Sequence, residues 1–271
     1  FENVRGFTIG FKNGNKRGEA YSVYVVDKLK QLGYDVKGKI VDFSEYGIPQ
    51  KRQRYILVGT KKDNAENFFD LLVQNKVTFF KSKNFEKDTV SLSDAISDLL
   101  QSHGTKESPD TKNFRAGIYA KATTSYQKLM RKDKNLTKKV ASSHRFANHK
   151  KETIEKFQYI LEFGRANKNI SDEIKAKYNI KKRTVVPLCS NSPTPTLTTL
   201  PDDYIHYCEP RILTVREYAR IQSFPDSYEF KGGYTTGGDR RKLDVPRYTQ
   251  IGNAIPPLFA EQAGLVLKDM I

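Results

Sequence analysis

The stretch Arg211–Phe230 constrains this chain more than any other: Arg-Ile-Leu-Thr-Val-Arg-Glu-Tyr-Ala-Arg-Ile-Gln-Ser-Phe-Pro-Asp-Ser-Tyr-Glu-Phe. Thr214 can cap a helix whose third residue, Glu217, reaches back to it, the reciprocal capping-box arrangement. Val215, Tyr218, Ala219 and Ile221 then follow at helical rather than strand spacing. Pro225 is expected to end the helix, because it has no N–H to give and restricts Phe224 before it. Arg211, Arg216 and Arg220 surround this short amphipathic segment, and the last two, four apart, share a face. Alone, the segment reads equally well as a solvated basic helix. Its neighbours decide.

At 271 residues and 31.0 kDa the chain can bury a sizeable core. A net charge of +16 and a pI near 9.6 point to a polyanionic partner. Hydrophobic content of 37% with 11% aromatics is enough for a folded core, which excludes a disordered basic tail. Two cysteines, Cys189 and Cys208, make no disulfide framework and suit a reducing compartment. No apolar run approaches the ~18 residues of a membrane span, and no signal peptide is recognisable.

Phe1 to Thr60 reads as α/β. Phe1-Glu2-Asn3-Val4 looks like a strand end entering a glycine-punctuated loop, Glu19–Leu32 has helical spacing, and Gly33 sits where a helix C-terminal glycine belongs. Val36–Phe43 and Tyr55–Thr60 read as strands, the second a nearly continuous apolar run of the kind covered on both faces. Asn64–Gln74 and Ser91–Leu100 read as helices. Strand, helix, strand, strand is the tail of a doubly wound domain. Between Lys106 and Arg183 there are 21 Lys plus Arg against 8 Asp plus Glu, a surplus of 13 out of the net +16. Aromatic residues such as Phe114, Tyr119 and Phe146 are interleaved with these charges. One periodic segment stands out there, an expected helix at Lys150–Phe163. Ser190–Pro201, rich in proline and threonine, must be irregular or extended. Lys231–Pro246 reads as a glycine-rich charged loop, and Arg247–Ile271 as a proline-stopped loop followed by an apolar helix.

Three further segments carry short motifs: Glu2-Asn3-Val4, Gln50-Lys51-Arg52-Gln53-Arg54 directly before a strand, and Gly252-Asn253-Ala254-Ile255-Pro256-Pro257. Each is weak alone. With the Arg211 element between the last two, their order and spacing resemble the cytosine-C5-specific DNA methyltransferases, from that family's Glu-Asn-Val motif onward. The resemblance covers both ends of the chain well and the basic middle by position. It implies an α/β fold comprising the second half of a doubly wound, Rossmann-like methyltransferase domain, with a smaller irregular target-recognition domain. The expected boundaries are 1–85 for the catalytic part, 86–246 for recognition with a bracing helix at 214–224, and 247–271 for the return to the catalytic part.

The resemblance also implies the chemistry. In the family a cysteine thiolate adds to C6 of cytosine while an acid engages N3 of the ring. Glu2 matches that acid, and burial could keep it protonated by raising its pKa. Asn3 matches the residue that positions this loop. Arg54 matches the arginine contacting the base O2 and the glutamate, and Arg52 its neighbour two residues away on the same strand face. Thr214 resembles a threonine holding a backbone phosphate, and Asn253 the asparagine beside the S-adenosylmethionine (AdoMet) site. Base flipping in duplex DNA follows. Lys128, Arg131, Lys138, Lys139, Arg145 and Lys150, from the basic middle, are the expected phosphate contacts.

Other candidates fall away. His144 and His149 lie five apart without a close cysteine pair, so no metal site is expected. Cys189 is separated from Pro187 by a leucine, and the family's Pro-Cys nucleophile precedes the Glu-Asn-Val motif. Neither that nucleophile nor the glycine-rich AdoMet loop occurs here. The expectation is therefore a chain catalytically incomplete by itself, a fragment or one subunit of a split enzyme, whose partners are double-stranded DNA and an AdoMet-bearing N-terminal half. A bacterial restriction-modification setting and a cytoplasmic, nucleoid-associated location go with it. The alternatives are a non-catalytic sequence-specific DNA-binding module and the tRNA-methylating branch of the family, whose insert is shorter than the region from Phe80 to Pro210.

Overall fold

The computed structural model describes residues 1–13, 16–62, 64–132, 140–235 and 243–270. The chain opens with β1 (Glu2–Val4), a short hairpin of β2 (Lys12–Asn13) and β3 (Lys16–Arg17), and helix α1 (Tyr21–Gln31). Strands β4 (Asp35–Asp42) and β5 (Gln53–Thr60) follow, then helices α2 (Ala65–Gln74) and α3 (Lys76–Ser82). The expected helices and strands thus appear within two or three residues of their predicted bounds. Gly33, at φ 81°, turns the chain out of α1 in a conformation that a side chain resists. The Asn64 side chain caps α2 by accepting from the Glu66 N–H at 2.8 Å.

Strand β5 lies at the centre of a three-stranded sheet, ordered β1-β5-β4, and both pairings are antiparallel. The α/β class holds, but the described strands form no doubly wound parallel order; they correspond to the antiparallel edge that such sheets often carry. One face of the sheet is covered by Phe68, Phe69 and Leu72 of α2, which meet Val41, Phe43 and Ile56. Phe259 and Val266, more than two hundred residues later in sequence, complete this core. Each such side chain contributes about 1.5–3 kcal/mol on burial.

The basic middle is built from small elements: α4 (Leu92–Ile96), β6 (Thr105–Glu107), β7 (Arg115–Ile118), α5 (Ser125–Met130), β8 (Val140–Arg145), α6 (Lys151–Phe163), α7 (Asp172–Lys177), β9 (Val186–Pro187) and β10 (Tyr204–Ile205). Ser91 starts α4 through a capping box with Asp94, as its position suggested, though the helix ends at Ile96 rather than Leu100. Strands β6, β7 and β8 form an antiparallel sheet, with a register shift between Ala116 and Ile118. Ser190–Pro201 is irregular, opening in a turn at Ser190–Asn191 and joining no multi-residue ladder; its backbone meets the loop before β5 through a bridge between Gln50 and Thr194.

Helix α8 (Val215–Ile221) is the predicted brace, and all seven of its residues are buried. Thr214 and Glu217 close the capping box: the Thr214 hydroxyl accepts from Glu217 N, and Glu217 accepts from Thr214 N at 2.7 Å. The helix stops before the proline. Ser223 takes the left-handed conformation, φ 59°, and Phe224 N–H reaches back to Ala219 O at 2.8 Å, so Pro225 merely follows a finished C-terminus. Neither buried arginine is solvated. Arg220 donates to Asp226 at 2.5 and 2.7 Å and to Asp98 at 3.2 Å, while Arg216 donates to the carbonyls of Ser142, Pro225 and Tyr228. Helices α9 (Arg247–Asn253) and α10 (Pro257–Asp269) end the described chain. The motif Gly252-Asn253 therefore lies in the last turn of a helix, where a loop was expected. No described helix is long and apolar enough to cross a membrane.

At the N-terminus of α8 a second buried network surrounds Glu217. Arg211 grips its carboxylate with two parallel hydrogen bonds of 2.7 and 2.8 Å. His144 bonds the Leu99 carbonyl through Nε2 and the Thr214 hydroxyl through Nδ1, each at 2.8 Å. Because a carbonyl only accepts, the partners assign the proton to Nε2 and make Nδ1 the acceptor. His206 accepts two backbone N–H groups at Nδ1, which likewise places its proton on Nε2, 3.7 Å from Glu217. Burial pushes His144 down to about 4 and His206 down to about 3. For Glu217 burial acts upward, but the Arg211 guanidinium overrides it and draws the carboxyl to about 2.

Two expectations follow. Substituting Arg220→Met leaves buried Asp98 with Arg131 alone, at 3.3 Å, and buried Asp226 with Arg216 at 3.9 Å, and should lower unfolding free energy by up to roughly 3–5 kcal/mol in urea titrations; a loss below about 1 kcal/mol would show that the Arg220 pairs carry little. The histidines set the pH response. Their folded pKa values lie below the unfolded value of 6.5, so the unfolded chain takes up protons first and stability falls as pH drops from 6.5 toward 4. The limiting slope is about 1.4 kcal/mol per pH unit for each histidine. Glu217 acts only lower, its contribution present above the unfolded carboxyl value and lost as pH falls toward 2. Unfolding free energies that stay level between pH 7 and pH 5 would refute the assignment, whereas the double variant His144→Gln/His206→Gln should show a much shallower profile, the remaining slope coming from His149, whose pKa burial also lowers.

Candidate functional site

Antiparallel pairing of β1 with β5 sets Val4 opposite Arg54 and Glu2 opposite Ile56. This register brings the first motif onto the second. Glu2 Oε1 lies 2.9 Å from Arg54 Nε, and Arg54 also donates to its neighbour's carbonyl, Gln53 O, at 2.8 Å. The contact between Arg54 and the glutamate is thus present, but full burial of Glu2 is not: 23% of its side chain is exposed. The Asn3 side chain turns back on the loop and accepts from Val4 N–H at 2.8 Å, the local bond by which asparagine fixes a turn.

Arg52, one residue before β5, is 3% exposed and reaches across the molecule. Its Nη2 donates to Gly252 O at 2.8 Å and approaches Ala254 O at 3.5 Å. The second and fourth motifs are thereby tied together. Burial, and then repulsion from Arg54, lowers Arg52 to about 10, which still leaves it charged at neutral pH. Burial also lowers Arg54, with Glu2 opposing. Asn253, beside the anchored Gly252 carbonyl, is exposed at the end of α9.

Sequence reading missed the segment that closes this cluster. The Gln50 side chain, fully buried, accepts from Leu197 N–H at 2.8 Å, and the Thr196 hydroxyl donates to Lys51 O at 2.7 Å. A Cβ on Gly252 would come within 3.0 Å of Thr198 O and 3.1 Å of Thr199 Cγ2, tighter than ordinary contact, so a side chain there would have to push this segment back. The proline- and threonine-rich run is therefore a wall of the site. The one signal for it was the buried-type glutamine heading the Gln-x-Arg-x-Arg motif, and a polar side chain's partner cannot be read from spacing.

Three of the expected DNA contacts are turned inward. Thr214 is 2% exposed, its hydroxyl committed to the cap of α8 and to His144, so it cannot meet a phosphate without dismantling the brace. Arg131 donates to Ala120 O at 2.7 Å and pairs with buried Asp98 at 3.3 Å, its guanidinium 4.3 Å from the Tyr119 ring centre. Arg145 is sandwiched between Phe114 and Tyr234, 4.0 and 3.9 Å from the ring centres. Lys128 and Lys150 are exposed, as phosphate contacts must be. Lys138 and Lys139 lie outside the described residues.

The model of the C-5 cytosine-specific DNA methylase family matches residues 1–268. Over 251 residues the chain is 31% identical to the type II methyltransferase M.DdeI of Desulfomicrobium norvegicum, covering 88% of this chain and 55% of that protein. It is 28% identical to M.Bpa9945I of Bacillus paralicheniformis, covering 100% of this chain and 60% of that protein. The chain thus spans little more than half the length of these curated relatives. M.AquIB of Picosynechococcus differs: a match of 131 residues at 33% identity takes in 48% of this chain but 88% of that protein. In fold, the chain superimposes with a TM-score of 0.64 on the crystal structure of a prophage-encoded E. coli protein described as a DNA modification methyltransferase, over 99% of this chain and 68% of that one at 22% identity. The chain belongs to the C-5 cytosine-specific DNA methylase family.

Proposed function

We propose that this chain holds and reads the substrate in a DNA cytosine-C5 methyltransferase of the type II restriction-modification kind. The observation that carries the reading is the Glu2–Arg54 pair, seated by the β1–β5 register beside the Arg52–Gly252 tie. A carboxyl and a guanidinium side by side can address adjacent polar atoms of one ring face, the donor arm of Arg54 meeting a carbonyl oxygen and Glu2 a ring nitrogen. For a flipped cytosine these are O2 and N3. Protonation of N3 by Glu2 would draw electrons from the ring and make C6 open to a nucleophile. The Asn3 turn fixes the loop bearing Glu2, and Arg52 fixes the backbone around Asn253.

AdoMet would supply the methyl group when bound, and Asn253 is the residue of this chain suited to its edge. The Asn253 amide is exposed and makes no hydrogen bond among the described residues, which fits a role toward a ligand. The remainder of the cofactor site and the thiolate belong, on this reading, to an N-terminal half, in the same longer chain or a separate subunit. Two features support that. Among the described residues β1 pairs on one edge alone, leaving the other open to a further strand. Beside it Phe1, Phe11, Tyr21 and Tyr24 stand 58–70% exposed, and α1 buries none of its apolar side chains, an apolar face of the kind that marks an interface. The match to most of M.AquIB supports a separately encoded piece of this type. The domain boundaries proposed above, with recognition over 86–246, place Lys128 and Lys150 on the DNA-facing lobe.

The test combines the chain with an AdoMet-bearing half from the family, labelled AdoMet and duplex DNA. Methyl transfer should appear in the mixture, and Glu2→Gln should slow it at least about 100-fold, the usual cost of losing a general acid, while duplex binding by this chain stays unchanged. Binding without transfer in any mixture would leave a DNA-binding module instead, and full activity of the Glu2→Gln variant would remove the acid role.

A further inference from the structure

Away from the Glu2–Arg54 seat, a cavity of about 320 Å³ opens between α6, the end of α7 and the strand of chain entering α8. Its walls are aromatic and aliphatic, with Phe157 and Tyr178 among them and Ile212 beside them. Its floor is shared with a satellite core: Phe157, Ile160 and Val185 line the cavity and pack with Ile170, Ile174 and Ile205. Lys156 and Lys181 stand on the lining, and neither makes an ion pair among the described residues. Lys182 differs, being held by Asp202 and Asp203 at 2.7 and 2.8 Å, which also offsets the one acidic group on the lining.

The shape of this corner is fixed by backbone chemistry. Asn179 adopts a left-handed conformation, φ 48°, and Ile180 N–H bonds back to Lys175 O at 2.8 Å, ending α7 and bringing Tyr178 and Lys181 to the same cavity. His149 Nε2 accepts from Ile212 N–H at 3.3 Å, joining the start of α6 to the chain leading into the brace. Burial, then Arg211 and Lys156, lower the pKa of this histidine, so its ring is neutral and presents an uncharged aromatic surface. A second cavity, of about 510 Å³ and lined by Thr199, Leu200 and Tyr248, shares Asp202 and Ile212 with the first. The two make one trough. Its far end is Thr199, the residue packed on Gly252 at the candidate site.

Aromatic walls that can take a π-face, with unpaired cations on the lining, fit a base carrying a phosphate. A lipid tail would leave those lysines without a counter-charge in the trough, and an acidic peptide would leave the aromatic walls unused. We propose that this cavity is a second nucleotide site, which takes one unstacked nucleotide of the bound polynucleotide outside the cytosine seat, its base against Tyr178 and Phe157 and its phosphate on Lys156 and Lys181. The inference rests on the DNA-reading function proposed above. It gives α6 and α7 a task in holding a strand displaced from the stack.

The full chain is irradiated with mixed-sequence oligonucleotides carrying iododeoxyuridine in place of thymidine, single-stranded and duplex, and the cross-linked peptides are sequenced. Cross-links should fall on Tyr178 or Phe157. Tyr178→Ala should weaken single-strand binding roughly tenfold, as loss of one stacking platform does. Because that change could loosen α7, Lys156→Ala/Lys181→Ala serves as a second variant. It should weaken binding with unchanged thermal stability and flatten the salt dependence. Sound oligonucleotide binding with cross-links elsewhere, or with both variants unaffected, would overturn this site and leave the proposed function intact. No binding by the folded chain would overturn both. Equal competition by free thymidine monophosphate, nucleotide for nucleotide, would overturn the polynucleotide as its occupant.

Discussion

The burial of Arg216 and Arg220 in α8 is the constraint on which the rest of the structure depends. A guanidinium removed from water demands partners, and the chain supplies them from distant segments: Asp98 and Ala95 from α4 and its sequel, Ser142 from β8, Asp226 and the carbonyls of Pro225 and Tyr228 from the turn after the helix. Apolar packing would hold α8 as firmly, but it would accept many orientations. Fixed donor directions accept few. The arginines thereby fix α8 against the basic middle, while Gln222 donates to Ile251 O at 3.1 Å and the Ser223 hydroxyl accepts from Leu258 N–H at 3.0 Å, tying the end of the helix to α9 and α10.

From that junction the site inherits its order. Arg52 is the second long-range tie, joining the start of β5 to the end of α9 across two hundred residues of sequence. The Gln50 side chain adds a third by holding Leu197. Glu2 and Arg54 sit at the rim of this assembly, partly exposed, with 23% and 12% of their side chains open. The gradient is physically sensible. On the function proposed above, the groups that would meet a substrate keep solvent access, while Arg52, which holds the backbone behind them, gives up its own and is satisfied by backbone carbonyls.

The sequence was legible where local chemistry decides the outcome. The capping box at Thr214, the glycine after α1 and the continuous apolar run of β5 all announced elements that formed. Three readings failed, for one shared reason: the surroundings of a polar side chain depend on what the fold brings near. Glu2 was expected to be buried and keeps 23% of its side chain exposed, although the Arg54 contact formed as expected. Thr214 was given to a phosphate, but its hydroxyl is consumed by the cap and by His144. The Ser190–Pro201 run carried no periodicity and was left out of the site, although its irregular backbone is what lets it lie against Gln50 and Gly252 together.

The net charge invites a division of labour between the two cations. Arg131, Arg145, Arg211, Arg216 and Arg220 are stacked on rings or bonded inside, and Arg247 pairs with Asp110 at 2.6 Å. Lys128, Lys150, Lys151 and Lys181 are exposed. Planar, weakly hydrated guanidinium tolerates desolvation where it can stack or fork, whereas ammonium keeps its water. Much of the arginine charge in this region therefore serves to assemble the lobe. The lysines supply the outward field. A surplus of positive charge in sequence accordingly overstates the number of arginines free to meet a polyanion, and a salt-dependence measurement reports chiefly the lysine share. That the trough beside α6 and α7 presents lysines rather than arginines at its unpaired positions places it on the outward side of this division.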